Sequence, residues 1–237
     1  MNRRRPPPML AWLCLQLAAC GAPDPGDLAR FFQDGGLLSA RTSVEATRIS
    51  NADVVIATKP TGCNDPLGDV TELPFAVEER IERHAVSGAT SDELAAALIA
   101  RQRQRGAAPY IDWALDWRFD AVKCRTPLWQ LALSVRYEIP EWKPPEEADA
   151  ELVRSWDTFV AALWCHELGH TEIAVAAAEE ALDALWAVGS KDSCAEIQAA
   201  AEEAFDAVME RHVAQERAYD AETGHGLTMG ARFPPPP

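Results

Sequence analysis

The chain has 237 residues, of which 48% are hydrophobic and 25% charged, a composition that suits one globular domain and excludes a disordered or fibrous protein. Its 37 acidic residues outnumber 22 basic ones, for a formal net charge of -15. Nucleic acid and anionic membrane surface are disfavoured as partners, because phosphate binding needs clustered Lys and Arg.

Arg3, Arg4 and Arg5 form a basic n-region, and residues 9–19 form an apolar h-region too short to span a bilayer. Leu17-Ala18-Ala19-Cys20 resembles the bacterial lipobox, in which cleavage before the Cys leaves a thiol that is acylated. Residues 1–20 are therefore expected to be a lipoprotein signal, and the mature chain to be exported and anchored by lipid on Cys20. Gly21 rather than Asp at the next position points to the outer membrane or cell surface. Residues 21–45, rich in Gly, Pro and Asp, read as a flexible tether. With Cys14 removed and Cys20 lipidated, Cys63, Cys124, Cys165 and Cys194 remain. They allow up to two disulfides in an oxidising compartment, and the three pairings stay open.

The globular domain is expected over 46–231. A strand-like stretch at 52–58 leads into a Pro- and Gly-rich loop with Cys63, and 75–87 is a second extended segment. Thr90 or Ser91 can N-cap a helix over 92–104 that Gly106 ends. Strict alternation over 110–119 and 131–139 predicts two antiparallel strands with one face on helices. Pro140, Pro144 and Pro145 then break the chain. A long helix follows over 149–188, stopped by Gly189, and a second runs over 193–219. The tail 232–237 ends in four prolines and is expected to be disordered.

The chemistry sits in His166-Glu167-Leu168-Gly169-His170, inside the long apolar helix. Histidines four apart project from one helix face and can hold one Zn2+. Glu167, next to the first ligand, is positioned as the general base for water attack on a peptide carbonyl. Cys165 points about 100° away from His166, so it cannot share the ion and reads as a buried thiol or a bridge. Ile173 and Ala176 stand where the metzincin extension requires Gly and His, which excludes that class. In an antiparallel hairpin turning near Ser190, residues summing to about 381 lie level. That ladder brings the end of the second helix to the site, with His212, Glu216, Asp220 and His225 as candidate third ligands.

Further motifs carry a resemblance: Ser87-Gly88-Ala89-Thr90, Trp113 and Trp117, Cys124, Ile139-Pro140, Trp156, the His166 to His170 string, Cys194, and Tyr219-Asp220 with Thr223, His225 and Gly226. Over about residues 85–233 the chain resembles a bacterial family of unknown function described as predicted secreted zinc-dependent proteases. The resemblance and the loop position of His225 favour it as third ligand over His212, which lies on the apolar stripe. Tyr219 is a candidate to steady an oxyanion or a helix-end aromatic packed on the core. His84 reads as a surface histidine, and Trp113, Trp117, Trp156 and Trp186 as packing residues.

The expected fold is α+β and zincin-like: a small antiparallel sheet packed on the long HExxH helix and a second, antiparallel helix. The expected function is zinc-dependent hydrolysis of peptide or protein substrates, with His166, His170 and His225 on the metal and Glu167 as base. A non-catalytic metal-binding envelope lipoprotein, serving as a binding or assembly module, is the alternative.

Overall fold

The computed structural model describes residues 59–60, 62–105, 110–120 and 127–235. The expected signal segment with Cys20, the tether, the strand at 52–58, Gly106 and Cys124 lie outside the described residues. Chain proximity divides the protein into two units, Met1–Thr42 with Ile99–Pro109, and Ser43–Leu98 with Tyr110–Pro237. The second unit contains every feature discussed below except residues 99–105, the end of the first helix.

In chain order the elements are β1 (Ala76–Val86), α1 (Ser91–Arg105), β2 (Ile111–Phe119), β3 (Trp129–Trp142), α2 (Ala150–Val188) and α3 (Cys194–Thr223). The fold is α+β, with a three-stranded sheet in the order β1-β3-β2. The sheet is mixed rather than wholly antiparallel: β2 pairs antiparallel with β3, but β1 pairs parallel with it. β1 and β2 are separated in sequence by α1 and lie on opposite edges, with β3 between them, returning antiparallel to β2 and running alongside β1 in the same direction.

The alternation read in β3 is its burial pattern, with Leu131, Leu133, Val135, Tyr137 and Ile139 all buried. Pro140 does not end the strand, which continues to Trp142. Glu138 donates its N–H to Tyr110 on the β2 side, so the nitrogen two residues on also faces that side. There β2 has no residue paired beyond Tyr137, and a missing donor costs no ladder bond. His84 is not a surface residue either, since its side chain is largely buried 3.6 Å from Glu138 on β3.

The helices begin where the capping residues stand. Thr90 Oγ1 accepts from Glu93 N, Asp149 Oδ1 from Glu151 N, and Ser193 Oγ from Glu196 N. Gly189, at φ 63°, closes α2. α2 and α3 run antiparallel along a seam of small side chains: Ala174, Ala177, Ala178, Ala181 and Ala201 are wholly buried with Leu185 and Ile197. α2 is tied to the sheet by Tyr137, whose hydroxyl lies 2.6 Å from Thr171 Oγ1. Thr171 spends its own proton on Glu167 O at 3.1 Å, so Tyr137 is the donor. Burial raises the Tyr137 pKa and keeps the phenol protonated. At the start of the Pro-rich tail, the Phe233 ring packs 5.4 Å from Trp156 and 5.6 Å from Phe159.

Cys63 is bridged to Cys165 across a separation of 102 residues, which anchors the start of the domain one residue before His166. Cys194 is also disulfide-bonded. Cys63→Ser is expected to lower stability by about 3 to 5 kcal/mol, the range for opening a loop of this length. Urea unfolding monitored by circular dichroism checks this, and an unchanged midpoint contradicts it.

Candidate metal centre

The HExxH segment lies at the middle of α2, and its side chains point into the contact with α3. His166, Glu167 and His170 are all buried, with 3–5% of each residue exposed. One ligand atom from each falls within 4.8 Å of the others, a group able to hold a metal ion.

The two Nε2 atoms face each other at 3.3 Å. From α3, Asp220 brings Oδ1 to 3.5 Å from His166 Nε2 and 3.2 Å from His170 Nε2. A tetrahedral ion about 2.0 to 2.1 Å from its ligands sets neighbouring donors about 3.3 to 3.4 Å apart. The triangle of two imidazoles and one carboxylate therefore fits such an ion in both chemistry and spacing. His225, expected as third ligand, does not complete that triangle. Its side chain is 80% exposed, and its Nδ1 lies 3.3 Å from the same Asp220 oxygen.

The outer nitrogens of both helix histidines are engaged by α3. His170 Nδ1 bonds Glu216 Oε2, and Glu216 Oε1 accepts from Trp113 Nε1 at 3.1 Å, so an indole in β2 and a carboxylate in α3 fix that ring. His166 Nδ1 stands 3.4 Å from Thr223 Oγ1. Tyr219 covers the pair, stacked on His166 at 5.2 Å and edge-on to His170 at 4.9 Å. Its hydroxyl donates to His166 O at 3.1 Å. The phenol is thus turned onto the helix backbone rather than toward a reacting carbonyl, and burial, then the charge of Glu167, pushes its pKa up to about 12. Gly169 makes this possible, since a Cβ there would stand 2.1 Å from the Tyr219 oxygen. Gly226, at φ 82°, likewise lies against the His166 ring, where a Cβ would meet Cγ at 3.1 Å.

Sequence reading missed Glu216 and Thr223 as orienting groups and Trp113 as a donor. A signal was present for two of them, because Glu216, Asp220 and Thr223 recur at helical spacing on one face of α3. The level-residue ladder placed His170 opposite the neighbourhood of Arg211 and His212. In the structure His212 is buried and bonds Glu180 Oε2 at 2.7 Å instead. Helical side chains lean toward their own N-terminus. In an antiparallel pair both leans carry contacts further along α3, by about one residue each.

Burial, then the charge of His170, pushes the His166 pKa down to about 4. Burial alone would lower His170 as well, but its hydrogen bond to Glu216 and the charges of Glu216, Glu167 and Asp220 outweigh it and raise the pKa. His166 therefore contributes stability that is present above the ordinary 6.5 and lost as pH falls toward 4. His170 contributes below 6.5 and loses its share as pH rises through its folded value. In chelator-treated protein near pH 5.5, imidazole nitrogen NMR should show His166 neutral and His170 protonated; the reverse order contradicts the geometry. Gly169→Ala is expected to cost about 1 to 3 kcal/mol by displacing Tyr219, and a thermal melt matching the parent contradicts that contact.

No helix among the described residues is long and apolar enough to cross a membrane. No curated protein and no solved structure matches the chain. Residues 81–226 match the family model described as bacterial protein of unknown function (DUF922), a span that covers most of the sheet, all of α2 and α3, and the His225 turn, and the chain belongs to that family.

Proposed function

We propose that this protein is an exported zinc-dependent peptidase of zincin-like design, with His166, His170 and Asp220 holding the ion and Glu167 acting on the attacking water. The observation that carries the reading is the triangle of His166 Nε2, His170 Nε2 and Asp220 Oδ1, with edges of 3.2 to 3.5 Å and the buried Glu167 beside it. Zinc, when bound there, supplies a Lewis acid that polarises a peptide carbonyl and lowers the pKa of water. Glu216 and Thr223 hold the two imidazoles with their Nε2 atoms inward. Glu167, on the helix between the two histidines, takes the proton of the attacking water and passes it to the departing amine nitrogen. Tyr219 excludes water from one side of the imidazole pair.

The basic n-region, the short apolar run and Cys20 support export and lipid anchoring at the bacterial envelope. The charge of -15 argues against nucleic acid as a partner, and a peptide or protein is the substrate class proposed.

One observation favours a second reading, a structural metal in a binding module: His225 Nδ1 stands near the same carboxylate as a fourth donor, and four protein ligands are the mark of structural zinc. Glu167→Gln separates the two. The peptidase reading expects hydrolysis of an unfolded protein such as casein to fall by about a hundredfold or more, with zinc still near one per chain by elemental analysis. Proteolysis that survives in the variant would sink that reading.

A further inference from the structure

The His225 turn differs from every other part of the metal centre. Gly224, His225 and Gly226 all have positive φ, at 58°, 55° and 82°. Such backbone is open to glycine but rarely adopted by other residues. Two glycines thus flank a histidine held in the left-handed region, and the outcome is that its imidazole is directed back over the end of α3. The turn is closed by His225 N–H, which donates to Asp220 O at 2.9 Å. The same residue, Asp220, therefore receives the turn through its carbonyl and the His225 ring through its carboxylate.

Around Asp220 Oδ1 stand three imidazole nitrogens: His166 Nε2 at 3.5 Å, His170 Nε2 at 3.2 Å and His225 Nδ1 at 3.3 Å. That is one donor more than a hydrolytic zinc site uses. The three histidines are not held alike. His166 and His170 are buried, and each has its outer nitrogen backed by a side chain of α3. The His225 side chain is 80% exposed, and its polar contact among the described residues is the one to Asp220. A metal-ligating histidine whose second nitrogen has no partner lacks the support that fixes ring orientation.

We propose that His225 is a displaceable fourth donor, which closes the metal centre at rest and gives up its position to an oxygen of the incoming substrate or of water. The inference rests on the metal reading above and adds latency to it. Only a donor exchange takes place: the His225 nitrogen leaves the ion, an oxygen lone pair takes its place, and no electron or proton need move. The exposed turn gives the ring room to leave, while the buried pair and Asp220 stay in place. The arrangement also joins the two readings of the site, since a four-donor centre with one unsupported member is structural when closed and catalytic when open.

The test uses the protein loaded with Co2+, in wild type and in His225→Gly, which tolerates φ 55° without strain. His225→Asn, a residue also at ease in left-handed backbone, serves as the second variant. The variants are expected to keep one metal per chain. Their visible absorption bands should weaken as a tightly four-coordinate centre gains solvent. Acetohydroxamate should bind them roughly tenfold tighter than wild type, because no donor must first be displaced. Loss of the metal in both variants overturns the proposal by making His225 a permanent ligand. An unchanged spectrum with unchanged acetohydroxamate affinity overturns it by removing His225 from the ion, and leaves the peptidase reading standing. Failure of the wild-type protein to bind Co2+ or Zn2+ at all removes both.

Discussion

The phenol of Tyr219 rests where a side chain on residue 169 would stand, and this contact sets how the two long helices meet at the site. Because Gly169 carries no Cβ, the ring slides between α2 and α3, stacks on His166 and donates to the His166 carbonyl. Further along, toward the hairpin turn, the same close approach is carried by Ala174, Ala177, Ala178 and Ala181 against Ile197 and Ala201. Small side chains in a helix seam let backbones approach and bury nearly all of their surface. With that spacing fixed, Glu216, Asp220 and Thr223 reach across to the two histidines as one stripe of α3.

The polar content of this seam would be expensive without a positive centre. Two imidazoles, Glu167, Glu216 and Asp220 gather in a partly or fully buried space. Buried carboxylates are stabilised only by hydrogen bonds or by a cation. The proton held on His170 by Glu216 supplies part of that charge, while His166 is kept neutral by burial and by its neighbour. A divalent ion bound by the two Nε2 atoms and Asp220 Oδ1, as proposed, would displace the Nε2 proton of His170 and supply the positive charge in its place. The sheet contributes at two points. Tyr137 fixes Thr171 and with it the α2 backbone at Glu167, and Trp113 fixes Glu216.

Much of this was legible in the sequence for local reasons. Asp149, Gly189 and Ser193 mark the ends of α2 and the start of α3 by their capping chemistry, and strict alternation marks β2 and β3. The HExxH spacing gives two ligands and a base on one helix without any knowledge of the fold. What was not legible is non-local. Nothing in the residues 75–87 says that β1 lies on the far edge of β3, because strand order depends on the path between strands. Asp220 was legible as one of four candidate ligands, but its place against both Nε2 atoms depends on how α3 packs on α2. His225 drew attention as the histidine nearest a glycine loop. Its place beside Asp220 rather than in the triangle follows from three consecutive positive φ angles that composition alone does not reveal. Trp113 was read as packing because an indole on a core face usually is, and its N–H partner came from another element.

The account turns on which atoms surround the ion. Crystals of the mature domain grown with zinc, measured on both sides of the zinc absorption edge, give anomalous density that locates the metal without assumption. A peak bounded by His166 Nε2, His170 Nε2 and Asp220 Oδ1 is the result expected; no peak between α2 and α3, or one held by other residues, would contradict it.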